Sequence, residues 1–162
     1  MSNVINGTQN FEGPIRIRPN LSSQAEREVR RDSRLRQART CYGHLAGVAG
    51  VALLDKMVSL GWLEEAPAPA SGNRVGYNLS VEGRRAMVAW GLDTEAAAKT
   101  SGNFAFGCLD WTERRQHLGG PLGRAVTAYL GERGYVGRTT GTREVSLSGN
   151  PESWLDATAC QG

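Results

Sequence analysis

Residues 44–63 and 117–136 are two versions of one stretch, and this repetition constrains the fold more than any other feature of the chain. HLAGVAGVALLDKMVSLGWL and HLGGPLGRAVTAYLGERGYV match at His44/His117, Leu45/Leu118, Gly47/Gly120, Gly50/Gly123, Ala52/Ala125 and Gly61/Gly134. Conservative pairs fill the gaps: Leu53/Val126, Met57/Leu130, Trp62/Tyr135 and Leu63/Val136. The pattern predicts a tandem duplication, with each copy running from a mostly apolar helix through a Gly-aromatic pair into a strand. Two related units of this kind pack about a pseudo-twofold axis, which would bring His44 and His117 to equivalent places.

At 162 residues, the chain is long enough for one ordinary domain or for two small lobes sharing a core. An apolar share of 40% and a charged share of 22% fit a globular protein, and no apolar run approaches membrane-helix length. The first residues lack a signal pattern, and three widely spaced cysteines argue for reduced thiols over a disulfide framework, so a cytoplasmic location is expected. A net charge of +3 and an isoelectric point near 9.0 permit an anionic partner.

Along the chain, residues 1–21 read as a flexible arm, residues 22–92 as the first unit, 93–107 as a linker, 108–156 as the second unit and 157–162 as a loose tail. Ser22 or Ser23 caps a helix expected to run unbroken from Ala25 to about Gly43. A second helix follows over residues 45–60, its Gly47 and Gly50 explained by close approach of another backbone or by a turn between two short helices. Strands are expected at residues 62–63 and 75–79, and Ser80 caps a further helix. In the second unit Asp110 reads as the cap of a helix starting at Trp111, and the strand at residues 144–147 pairs with 135–136. Val145–Gly149 aligns with Leu79–Gly83 once the second hairpin is shortened. Asn150-Pro151 opens a final helix holding Trp154 and Leu155.

The repeated unit, helices leading into a two-stranded hairpin, has the outline of a winged helix, so the expected class is α+β with two winged-helix-like units. Two motifs narrow this further: RTCYGHLAG at residues 39–47 and CLDWTERRQHLGG at 108–120. With the Gly-Trp-Leu and Tyr-x-Leu strand edges, they resemble the C-terminal region of a subset of ArsR-type transcriptional regulators, over roughly residues 33–155. The resemblance implies transcriptional regulation, and a dimer. In those regulators the region follows a winged helix-turn-helix domain that reads DNA; residues 1–32 hold no such pattern. A freestanding sensory half, or units that have themselves taken on binding, are the two readings left.

Cys41, His44, Cys108 and His117 supply two thiols and two imidazoles, the ligand set of a tetrahedral zinc site. Eight residues between Cys108 and His117 do not make a metal-binding knuckle, so zinc or another soft metal is not favoured by spacing. The resemblance to metal-responsive repressors keeps soft-metal sensing in view. The competing readings are a site for a small molecule or electrophile and, as the plainest, buried thiols with each His bonded to a carbonyl or carboxylate. Tyr42, Trp62 and Trp111 would line a cleft between the units, or belong to the core.

The arginines cluster: Arg27, Arg30, Arg31, Arg34, Arg36 and Arg39 fall in one short run. Arg27, Arg30, Arg31 and Arg34, the arm residues Arg16 and Arg18, and Arg138 and Arg143 in the second wing are candidate phosphate contacts. A solvated helix face is the alternative. The chain carries no phosphate loop, nucleophile elbow or H-E-x-x-H, and no enzyme is expected. Two functions remain: an ArsR-like regulator acting through DNA or protein contacts, with a small-molecule or metal effector, or a ligand-sensing module that acts through a protein partner or self-association without touching DNA or membrane.

Overall fold

Two serines divide the helix expected over residues 25–43. Ser22 accepts a hydrogen bond from the Ala25 N–H at 3.1 Å and starts α1 (Ser23–Arg31), while Ser33 accepts from Arg36 N–H at 3.1 Å and starts α2 (Arg34–Gln37). Between them Asp32 sits in the left-handed region at φ 50°, closing α1. Ala38 is extended and the chain leaves as a strand. The computed structural model describes residues 21–67, 74–95 and 104–159. The Ile15–Arg18 arm, with Arg16 and Arg18, and Cys160 lie outside them.

Instead of the expected helix, residues 39–46 form a hairpin of β1 (Arg39–Cys41) and β2 (His44–Ala46). Its two turn residues, Tyr42 at φ 51° and Gly43 at φ 89°, both have positive φ, the signature of a type I′ turn. The apolar helix α3 (Gly47–Ser59) follows, then β3 (Leu63–Glu65), β4 (Tyr77–Leu79) and α4 (Val81–Ala89), which Ser80 caps by accepting from Gly83 N–H at 3.0 Å. The order then recurs: β5 (Phe106–Leu109), β6 (Gln116–Gly119), α5 (Gly120–Glu132), β7 (Val136–Arg138), β8 (Val145–Leu147) and α6 (Pro151–Ala159). The fold is α+β, and among the described residues the strands pair as four antiparallel two-stranded hairpins.

No helix begins at Trp111. Asp110 does accept from the Thr112 and Glu113 N–H groups, at 3.1 and 3.2 Å, but Arg114 turns into the left-handed region at φ 55° and the chain returns as β6. Register also corrects one alignment. Leu79 pairs with Leu63 and Leu147 with Val136, so Leu147, not Val145, is the counterpart of Leu79. The hydrogen bonds agree: Ser80 N–H donates to Trp62 O at 2.9 Å, and Ser148 N–H to Tyr135 O at 2.8 Å.

The halves interlock by the same exchange made in both directions. Tyr77 N–H donates to Ala105 O at 3.0 Å, and Val145 N–H to Ala38 O at 3.1 Å. Gly107 N–H donates to Val75 O at 2.7 Å, and Thr40 N–H to Arg143 O at 3.0 Å. Each half's second hairpin therefore bonds to the other half's first. Helix α3 packs on β6 and α5 on β2. A Cβ on Gly50 would collide with Leu45 O and lie 3.3 Å from His117 Cβ; one on Gly123 would collide with Leu118 O and lie 3.2 Å from His44 Cβ. The close approach expected of Gly50 is real, and it is made around the histidines. One apolar core, including Leu53, Met57, Met87, Leu122, Leu130 and Trp154, runs through both halves. Among the described residues no helix is long and apolar enough to cross a membrane.

Candidate functional site

Hairpin register builds the site. Cys41 lies opposite His44 on β1–β2, and Cys108 opposite His117 on β5–β6. Spacings of two and eight residues thus do the same thing, since each sets a cysteine beside a histidine across a strand pair. With the hairpins face to face, the Sγ atoms of Cys41 and Cys108 stand 3.9 Å apart and the imidazole centroids 5.2 Å apart. One ligand atom from each of the four residues falls within 4.8 Å of every other. The histidines are buried and the cysteines half-buried, so the sulfurs form the side nearer solvent.

Asp110 organises the inner side. It accepts from Arg39 Nη2 at 2.6 Å, Gly47 N–H at 2.7 Å and Thr112 Oγ1 at 2.9 Å. His117 Nδ1 rests 3.0 Å from its Oδ2, a close ion-pair contact without the alignment of a full hydrogen bond. Burial alone would raise the Asp110 carboxyl, but His117, Arg39 and the Gly47 N–H outweigh it and hold it well below the usual carboxylate range. Burial would likewise lower His117, and its contacts with Asp110 and Cys41 raise it instead. Among the described residues His44 has no carboxylate beside it, and burial pushes it down to about 4, which leaves it a neutral imidazole. Between the thiols, the hydrogen bond from Cys108, then His117, brings Cys41 down to about 4, while the same bond and burial push Cys108 up. Such a set can bind a soft metal ion, or present a thiolate to an electrophile.

The aromatic candidates go to three different environments. Tyr42 is 89% exposed at the β1–β2 turn, Trp62 is in the core edge-on to Trp90 at 5.5 Å, and Trp111 is half-buried 4.6 Å from the Arg39 guanidinium. The arginine run also divides. Arg27, Arg30, Arg31 and Arg34 are exposed on α1 and α2, and Arg138 and Arg143 are exposed on the β7–β8 hairpin. An ion pair at 3.6 Å from Arg34 to Glu144 ties these two regions together. A groove of about 210 Å³ beside them is lined by Arg124, Arg138, Thr40 and Thr127 among others. Arg36 and Arg39 instead turn inward. Arg36 grips Glu113 through two bonds, at 2.8 and 3.1 Å, and Arg39 meets Asp110. Asp110, expected only as a helix cap, and Glu113 prove to be the ionic partners of Arg39 and Arg36, a role hidden from the sequence because those partners lie more than sixty residues away.

Over 138 residues the chain is 29% identical to YdfF, an uncharacterized HTH-type transcriptional regulator of Bacillus subtilis (strain 168). The match covers 85% of this chain and 58% of that protein, so the chain spans under two thirds of the relative's length. No family model and no solved structure matches it.

Proposed function

We propose that this chain is the effector-sensing part of a transcription regulator and that Cys41, His44, Cys108 and His117 form its effector site. The regulator class is supported by YdfF, and ArsR-type ancestry by the motifs at residues 39–47 and 108–120. In this reading the halves are tandem duplicates about a pseudo-twofold axis, supported by the reciprocal bonds between their hairpins. Helix α3 with β3–β4, and α5 with β7–β8, are the winged-helix-like units, and the regulator works as a dimer. Free thiols at Cys41 and Cys108 suit a reducing cytoplasm. Binding rather than catalysis is its task.

One observation carries the effector reading: each half supplies one cysteine and one histidine, so the site exists only where the halves meet. An effector that draws Cys41 and Cys108 together, or parts them, bears on β1 and β5. Those strands bond to the β8 and β4 ends of the other hairpins, and β8 adjoins Arg143. Site occupancy is thereby coupled to the exposed arginines.

The test is DNA affinity, by fluorescence anisotropy with a mixed-sequence duplex over a salt series, for wild type and for the Arg138→Ala, Arg143→Ala double variant. Wild-type affinity is expected to fall log-linearly with salt, and the double substitution to flatten the slope by about two. Absence of salt-dependent binding would instead support the second reading, a sensing module that acts through a protein partner. The burial of Arg36 and Arg39, which thins the basic strip, favours that alternative.

A further inference from the structure

We infer that Cys41, His44, Cys108 and His117 hold one zinc-class divalent ion in a closed tetrahedral site that clamps the two halves together. The inference rests on the reading of this cluster as the effector site and names what the site takes. Sulfur geometry supports it first. Two thiolates on a tetrahedral zinc, each bonded at about 2.3 Å, stand about 3.8 Å apart. The Cys41 and Cys108 sulfurs are 3.9 Å apart. A disulfide would need them at about 2.0 Å.

The imidazoles supply the second argument. His44 is 3% exposed and His117 1%, and among the described residues His44 Nδ1 and His117 Nε2 have no hydrogen-bond partner. Burying a polar atom without a partner costs stability, and a bound ion removes that cost at both nitrogens. Asp110 completes the pattern from outside. His117 Nδ1 lies 3.0 Å from Asp110 Oδ2, so with Nε2 on the ion the pair would form the carboxylate–histidine–metal arrangement that fixes a ligand's tautomer and ring orientation. Asp110 is itself fixed by Arg39 and by the Gly47 N–H.

Charge and ligand number give the third argument. Two thiolates and two neutral imidazoles around a divalent cation sum to zero, which suits a buried site. Four protein ligands fill the tetrahedron, so no position is left for substrate, as in structural and sensory sites. Because each half contributes two of the ligands, the ion's binding energy is also energy for holding the halves together.

The experiment uses protein purified without a polyhistidine tag, carrying Cys160→Ser so that thiol counts report on Cys41 and Cys108 alone. Metal analysis should find one zinc per chain. Replacement by cobalt should give the strong visible bands of a tetrahedral ion with thiolate-to-cobalt charge transfer in the near ultraviolet. Cys108→Ser should lose the charge-transfer intensity of one sulfur and weaken zinc binding more than tenfold in chelator competition, its fold checked by circular dichroism. Should that variant fail to fold, the wild-type cobalt spectrum still decides. A weak octahedral cobalt spectrum with both thiols open to labelling would overturn the proposal, as would a Cys41–Cys108 disulfide whose reduced form takes up no metal. Zinc uptake that changes neither DNA nor partner binding would uphold the metal site and remove the effector reading. No uptake, with DNA binding still sensitive to Cys108→Ser, would do the reverse.

Discussion

Asp110 shows how much one buried carboxylate can hold in place. Its donors are the Arg39 guanidinium, the N–H groups of Gly47, Thr112 and Glu113, and the Thr112 hydroxyl, with His117 alongside. A carboxylate offers about four lone-pair sites, so these oxygens are fully used. Asp110→Asn keeps the shape but removes the charge facing Arg39, which is 1% exposed and would be left buried without a counter-ion. The expected cost is about 3–5 kcal/mol, read as a lower urea midpoint at unchanged slope. Adding Arg39→Met should recover part of that loss, because the stranded charge is then gone. A single variant within about 1 kcal/mol of wild type would show that the pair is not coupled as drawn. The Arg39–Asp110 pairing was not legible in sequence. The residues themselves were, down to the capping geometry of Asp110, but its ionic partner sits in the other half and nothing local announces it.

Among the elements, the β1–β2 hairpin is the one that most needed the structure. Its strands are three residues each, and its type I′ turn is made by Tyr42-Gly43, where the recognisable signal would be Asn-Gly or Asp-Gly. Tyr42 at φ 51° is in a region that disfavours a bulky side chain, and at 89% exposure it gains little packing in return. Tyr42→Asn should therefore stabilise the protein by about 1 kcal/mol, raising the melting temperature by roughly 2–4 °C. A calorimetric scan with no rise, or a fall, would mean that the Tyr42 ring has a contact worth more than the strain. The helices α3 and α5 were legible because the apolar pattern is dense and the two matching stretches reinforce each other. The four Cys/His residues were legible, and the repeat put the two histidines in equivalent places, but the meeting of the two cysteines was not legible. Cys-x2-His and Cys-x8-His look unlike each other until both are seen as cross-strand pairs, and only the strand register reveals that.

At the scale of the whole molecule, the repeat does not produce two independent domains. Arg36 with Glu113 and Arg39 with Asp110 are buried ion pairs between one half and the other. Each second hairpin takes hydrogen bonds from the other half's first hairpin, and α3 and α5 each cover the other half's strand. A separated half would expose an apolar helix face, open strand edges and stranded charges together, more than its own short hairpins could stabilise. The chain should accordingly unfold in one step. Circular dichroism and tryptophan fluorescence are expected to give superimposable urea curves, with calorimetric and van't Hoff enthalpies in agreement. Residues 21–95 and 104–159 made as separate fragments should each be unfolded, and should regain the helical signal only when mixed. Two resolved transitions, or a fragment that folds alone, would mean that the halves are neighbours rather than parts of one fold. The Cys/His centre would then be a joint between domains instead of part of the core.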